Sequence, residues 1–261
     1  MKVGDVRKYG KPPCLVVLVH GGPGAAGEMK PVALELSKDI GVLEPLQTQK
    51  SVDGQVEELK KQIEKNSDNP VVLVGYSWGA WLSYILTSKH PKLIRKLALV
   101  GSGPFEAKYA KQIMPTRLSR LNSKDKQKIN LLMQKIQDGD TSNKTLSEFG
   151  SILSKADLYN PSLDSKTPLN IQMDIYQKVW PEADEIRKSG KLLEYGKVIK
   201  CPVVVIHGVH DPHPFEGVKK PLSNTIKDIK FILLEKCGHT PWKEKEAKGE
   251  FYSLFEKELS S

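Results

Sequence analysis

Val71-Val72-Leu73-Val74-Gly75-Tyr76-Ser77-Trp78-Gly79-Ala80-Trp81-Leu82-Ser83-Tyr84-Ile85-Leu86 is the stretch that settles the architecture of this chain. The four aliphatic residues at its start read as a buried strand, and the run from Ala80 onward reads as a helix. The residues between them must turn the backbone from one element into the other. In the pattern G-x-S-x-G that turn is so tight that the serine adopts a strained conformation, which only very small flanking residues permit, and its hydroxyl is pushed out of the fold. Gly75 and Gly79 supply the clearance. Ser77 is therefore a candidate nucleophile whose strand-before and helix-after context meets the demand of the motif.

Outward from this turn the chain alternates short β-rich runs with helical stretches, the pattern of a parallel sheet covered on both faces. Cys14 to Val19, Val42 to Leu46, Val71 to Val74, Leu97 to Val100, Val203 to Ile206 and Ile229 to Leu234 read as strands. Helices between them show their period, as in Val52, Val56, Leu59 and Ile63, and again in Ala247, Phe251, Leu254, Phe255 and Leu259. Between Gly103 and about Tyr195 the strand signal disappears and amphipathic runs take over, with Ile129, Leu132, Met133 and Ile136 followed by Leu146, Phe149, Ile152 and Leu153. The fold class is α/β, a mostly parallel sheet with flanking helices. Residues 1–103 and 196–261 form the core, and 104–195 form an all-helical cap above the carboxyl edge of the sheet, where open α/β sheets bind ligands. Hinges are expected at Gly101 to Pro104 and around Gly196.

A serine hydroxyl needs a general base, and the base needs an anion to fix its tautomer. Asp211 follows the fifth strand in His207-Gly208-Val209-His210-Asp211, and His239 follows the sixth in Cys237-Gly238-His239. Each lies in a loop at the same sheet edge as Ser77, in the order Ser, Asp, His. Glu106, past the fourth strand, is an alternative carboxylate. Oxyanion donors are expected from the amides of Trp78 and, in the loop His20-Gly21-Gly22-Pro23-Gly24, of Gly22. His20 reads as an organiser of that loop, with a second catalytic histidine as the other reading. His207, His210, Asp211 and His213 look like a metal cluster, but Pro212 and Pro214 stiffen the loop and no Cys or Glu completes a set, so no metal and no organic cofactor are expected. Met173, Tyr176 and Trp180 form a stripe on a cap helix expected to begin near Pro168. Tyr176 and Trp180, together with Trp242, are candidate pocket residues. Phe105 and Trp81 read as structural.

The segments His20 to Gly24, Gly75 to Gly79, His207 to Asp211 and Gly238-His239 resemble those of the α/β-hydrolases, and the resemblance spans nearly the whole chain outside the cap. His-Gly-Gly-Pro-Gly, with Trp after the serine, is most similar to the proline iminopeptidase branch. That resemblance implies release of an amino-terminal residue, with acidic cap residues such as Glu182, Asp184 and Glu185 holding the free amine. The segment Glu44-Pro45-Leu46-Gln47-Thr48-Gln49 lacks the Asp-Gln-Arg-Gly element usual in that branch, and the chain starts almost at the first parallel strand with no antiparallel strand before it. Three functions follow as expectations: a serine hydrolase of esters or amides, an iminopeptidase-like aminopeptidase, and a binding protein of this fold without turnover.

Composition narrows the partners. The net charge of +9 is spread evenly, with a surplus of 3 basic residues in 104–195 and 6 elsewhere. Mixed runs such as Lys243-Glu244-Lys245-Glu246 read as solvated faces, and no stacking aromatics interleave with the lysines, which argues against nucleic acid. Cys14, Cys201 and Cys237 are odd in number, far apart and set beside apolar strands, as reduced packing thiols are. The amino terminus has no apolar leader and no run reaches bilayer length. The expectation is a cytoplasmic protein acting on a small molecule or short peptide, with its oligomeric state open.

Overall fold

In the computed structural model, which describes residues 4–162 and 169–260, the strands are β1 (Val6–Tyr9), β2 (Cys14–Val19), β3 (Ala25–Ala26), β4 (Gly41–Pro45), β5 (Val71–Tyr76), β6 (Ile94–Val100), β7 (Asn170–Ile171), β8 (Val203–Gly208) and β9 (Ile229–Leu234). Seven of them form one sheet in the order β1-β4-β2-β5-β6-β8-β9. From β4 to β9 all pairings are parallel.

β1 departs from the expected start of the chain, because it lies antiparallel on β4 at the sheet edge. Its sequence Val6-Arg7-Lys8-Tyr9 shows no alternation because both middle residues are exposed, as charges on an edge strand are. What anchors it is polar: the Tyr9 hydroxyl donates to Glu44 Oε2 at 2.7 Å and Arg7 pairs with the same oxygen at 3.4 Å.

The inner strands are apolar on both faces, so successive side chains enter different cores. Val17, Val19, Leu73, Leu97, Leu99, Val203 and Val205 face α2 (Val52–Asn66) and α3 (Trp78–Lys89). Val16, Leu18, Val72, Val74, Ala98, Val100, Val204 and Ile206 face α1 (Lys30–Leu36) and the carboxyl-terminal helix. At about 25 cal/mol per Å2 of apolar surface removed from water, these two layers are the main stabilising term. The chain leaves β2 for α1 on one face and β5 for α3 on the other. A crevice therefore opens between the carboxyl ends of these paired strands, where Val19 is opposite Gly75.

Between β6 and β8 lie α4 (Ala107–Ala110), α5 (Ile113–Arg120), α6 (Ser123–Gln137), α7 (Asn143–Asp157), α8 (Met173–Lys188) and α9 (Lys191–Glu194), followed by α10 (Glu216–Ser223) and α11 (Lys248–Ser260) after β8 and β9. α6 and α7 begin at side-chain caps, Asn122 Oδ1 accepting from Asp125 N at 2.8 Å and Ser142 Oγ from Lys144 N at 3.2 Å. Ile129, Leu132, Ile152 and Leu153 close a separate small core. The insertion is not wholly helical, since β7 pairs antiparallel with β3 and ties it to the loop after β2. Pro168 lies outside the described residues, and α8 starts at Met173.

Candidate active site

Ser77 has φ 53° and ψ −115°, the strained positive-φ conformation its motif requires. The turn is held by backbone bonds from Ser77 N to Val100 O at 3.0 Å and from Ala80 N to Ser77 O at 3.1 Å. A Cβ on Gly75 would overlap the Gly79 carbonyl, and one on Gly79 would overlap the carbonyls of Val19 and His20. Glycine at both positions is thus a packing necessity of strand meeting helix.

The Ser77 hydroxyl lies 3.0 Å from His239 Nε2, and His239 Nδ1 lies 2.7 Å from Asp211 Oδ2. A carboxylate only accepts, so Nδ1 carries the proton and Nε2 presents its lone pair to the hydroxyl. Two loops must meet for this. The His210 amide donates to the Cys237 carbonyl at 2.7 Å, and a Cβ on Gly208 would overlap the carbonyls of Cys237 and Gly238. The backbone of His239 is pinned in turn, its amide donating to Asp157 O at 2.7 Å.

Asp211 sits among three imidazoles. Its Oδ1 accepts from both the amide and Nδ1 of His213, each at 2.8 Å. His207 Nε2, 3.5 Å from Oδ2, donates to His213 O at 2.8 Å. Burial alone would raise the Asp211 pKa, but His239, His207 and His213 together hold it well below the usual carboxylate range. His239 is pulled down by its own burial and pushed up more strongly by the charge and hydrogen bond of Asp211, so its pKa lies above the ordinary value. Burial takes His213 down to about 4, despite Asp211. The ligand atoms of Asp211, His213 and His239 lie within 4.8 Å of one another, yet both imidazole Nδ1 protons are already spent on the carboxylate.

Glu106 is elsewhere, 3.0 Å from Lys108 and partly exposed. His20 is fully engaged beneath its loop, Nδ1 donating to Gly21 O at 2.7 Å and Nε2 accepting from Gln47 N at 3.4 Å, and burial lowers its pKa to about 4. Gly22, with φ 38°, and Trp78 both border the cavity beside Ser77.

That cavity, about 700 Å3, lies between the sheet edge and the insertion. Tyr176 and Trp180 line it; Trp242, Glu182 and Met173 are not among its lining residues. Trp242 instead packs edge-on against Tyr76 at 4.6 Å, because the short helical turn at Pro241–Lys243 directs it into the core. Glu182 accepts from Val52 N at 2.8 Å, where the helix start attracts an anion, and Met173 is fully buried. Asp184 pairs with Arg187 and Lys188, and Glu185 is exposed, so none of the three acidic candidates for an amine site borders the cavity. Phe105 is core, whereas Trp81, read from sequence as structural, also forms cavity wall while its Nε1 donates to Gly103 O at 3.1 Å.

Two groups escaped sequence reasoning. The sequence presents His213 only as a possible metal ligand, and its stacking on His239 at 4.4 Å depends on how the loop folds. Arg117 and Asp157 form a bidentate pair, with both contacts at 2.7 Å, at the cavity wall under His239. Forty residues of chain separate them, and no local pattern marks them.

A serine in a strand-to-helix elbow at the switch point of a parallel sheet, with an aspartate and a histidine from the loops after β8 and β9, defines a hydrolase-type architecture. Residues 15–246 match the family model of the alpha/beta hydrolase fold, and the chain belongs to that family. No curated protein matches the sequence. Among solved structures, VinJ is similar at a TM-score of 0.69 and 18% identity over 98% of this chain and 94% of that one. A putative lipase from Acinetobacter baumannii AYE gives 0.64 and 19% over 100% and 90%, and CarC, a serine hydrolase involved in carbazole degradation, gives 0.64 and 20% over 98% and 93%. At such identities the likeness is one of fold. Among the described residues no helix is long and apolar enough to cross a membrane.

Proposed function

We propose that this protein is a serine hydrolase that cleaves carboxylic esters through an acyl-enzyme on Ser77. The observation that carries the proposal is the unbroken relay from Ser77 Oγ to His239 Nε2 at 3.0 Å and from His239 Nδ1 to Asp211 Oδ2 at 2.7 Å. His239 takes the hydroxyl proton as Ser77 attacks the carbonyl carbon, and Asp211 stabilises the imidazolium. The amides of Gly22 and Trp78 receive the oxyanion, an interaction worth about 2.7 to 4 kcal/mol for one donor. The leaving alcohol departs with the proton from His239, and water repeats the sequence to release the acid. The 104–195 segment acts as the lid that shapes the acyl pocket.

Esters are favoured over amino-terminal peptide bonds because Glu182, Asp184 and Glu185 do not border the cavity, while its acids Glu28 and Asp157 are engaged by Lys243 and Arg117. The putative lipase among the structural neighbours agrees with that preference.

A fluorophosphonate probe should label the wild-type protein and not Ser77→Ala. Hydrolysis of p-nitrophenyl esters should exceed release of the amine from proline arylamide. Folded wild-type protein that resists labelling would move the assignment to a binding protein, and faster arylamide cleavage would restore the aminopeptidase.

A further inference from the structure

Beyond the relay, the cavity wall carries one cation without a full complement of partners. Arg187, near the end of α8, is 8% exposed and borders the cavity. Its guanidinium lies over the Trp81 ring at 5.4 Å, and Trp81 stacks parallel on Trp180 at 6.2 Å. Trp81 follows Ser77 by four residues on α3, and Trp180 precedes Arg187 by seven on α8, so each helix directs its pair to one face. An aromatic wall thus runs from the serine's helix to the arginine.

Among the described residues that line the cavity, the other cations face carboxylates that border it too. Arg117 is neutralised by Asp157 and Lys243 lies 3.6 Å from Glu28. Arg187 shares the single carboxylate of Asp184 with Lys188, whose Nζ is 2.6 Å from it. Arg187 Nη2 donates to Asp184 Oδ1, while the buried Nε has no partner among the described residues. A buried donor left unmade is costly, and a guanidinium is the group best matched to a planar carboxylate.

We infer that Arg187 is a specificity residue, and that the cavity takes esters whose acyl chain is apolar along the Trp81 and Trp180 faces and ends in a carboxylate held by the Arg187 guanidinium. This inference rests on the serine hydrolase reading above for its kinetic arm only.

The test compares p-nitrophenyl monoesters of linear dicarboxylic acids with p-nitrophenyl esters of monocarboxylic acids of equal chain length. At the best length the wild-type kcat/KM should favour the carboxylated ester by at least about tenfold, the scale of a charge-assisted hydrogen bond. Arg187→Gln should abolish that preference, lowering kcat/KM for the carboxylated ester at least about tenfold more than for the neutral one. Arg187→Lys, which keeps the charge and gives up the fork, should retain part of it. A binding arm needs no turnover: in Ser77→Ala, monomethyl suberate should perturb tryptophan fluorescence and bind at least about tenfold more tightly than in Ser77→Ala/Arg187→Gln. Equal loss on both esters in a folded Arg187→Gln, or equal binding by the two Ser77→Ala proteins, would overturn the inference while leaving the hydrolase reading in place. Failure of every ester with binding intact would instead overturn the hydrolase reading alone.

Discussion

Replacing Ser77 by glycine should make the protein more stable than replacing it by alanine, although both lose the nucleophile. At φ 53° and ψ −115° the Cβ of residue 77 lies in a region that side chains disfavour by about 1 to 3 kcal/mol. The hydrogen bonds that enforce this conformation, Ser77 N to Val100 O and Ala80 N to Ser77 O, belong to the backbone and survive in both variants. The 3.0 Å contact with His239 Nε2 is lost in both. Their difference therefore isolates the strain of the Cβ, less the extra freedom that glycine confers on the unfolded chain, about 0.4 to 1 kcal/mol. The net is about 1 kcal/mol in favour of Ser77→Gly, or roughly 2 to 4 °C in Tm for a chain of this size. Urea unfolding and calorimetry measure it directly, and turnover of any ester should fall at least about 10,000-fold in both variants. A glycine variant equal to or less stable than the alanine variant would refute the claim that the fold stores strain at the nucleophile.

Acidification tests the relay. Because Asp211 outweighs burial and raises the His239 pKa, protonation disables the base at a higher pH than it would for a free imidazole, so the acid limb of kcat/KM should have its midpoint above about 6.5. Asp211→Asn removes the raising charge and leaves burial, which should move the limb to lower pH and slow the reaction; a limb below 6.5 in the wild type would contradict the assignment. Arg117→Ala should destabilise the fold by about 3 to 5 kcal/mol in urea unfolding, because it strands the Asp157 carboxylate beside the cavity, and Arg117→Ala/Asp157→Ala should recover part of the loss. A midpoint unchanged in Arg117→Ala would show that the pair contributes nothing.

How much of the fold and the site is legible in the sequence depends on the range of the interactions involved. The elbow around Ser77 could be read because its constraint is local: Gly75 and Gly79 are needed wherever a strand turns so sharply into a helix. The inner strands β2, β5, β6 and β8 announced themselves through apolar runs, the signature of burial on both faces. β1 gave no such signal, since an edge strand bearing Arg7 and Lys8 is held by Tyr9 and Glu44 rather than by an apolar face. Trp242, expected at the pocket, packs into the core, and Trp81, structural as expected, forms cavity wall as well, because a tryptophan three residues past a loop histidine and one on a buried helix look alike until the direction of each side chain is known.

The chain's own order of residues was enough to specify the alternation of strand and helix, the strained serine and the loops bearing Asp211 and His239, all consequences of short-range sterics and periodic burial. The meeting of His239 with Asp211, the Arg117–Asp157 pair under His239 and the packing of Arg187 on Trp81 arise between segments 28 or more residues apart along the chain. Such contacts leave no periodic trace along the polymer, because each is created only when segments distant in sequence pack together.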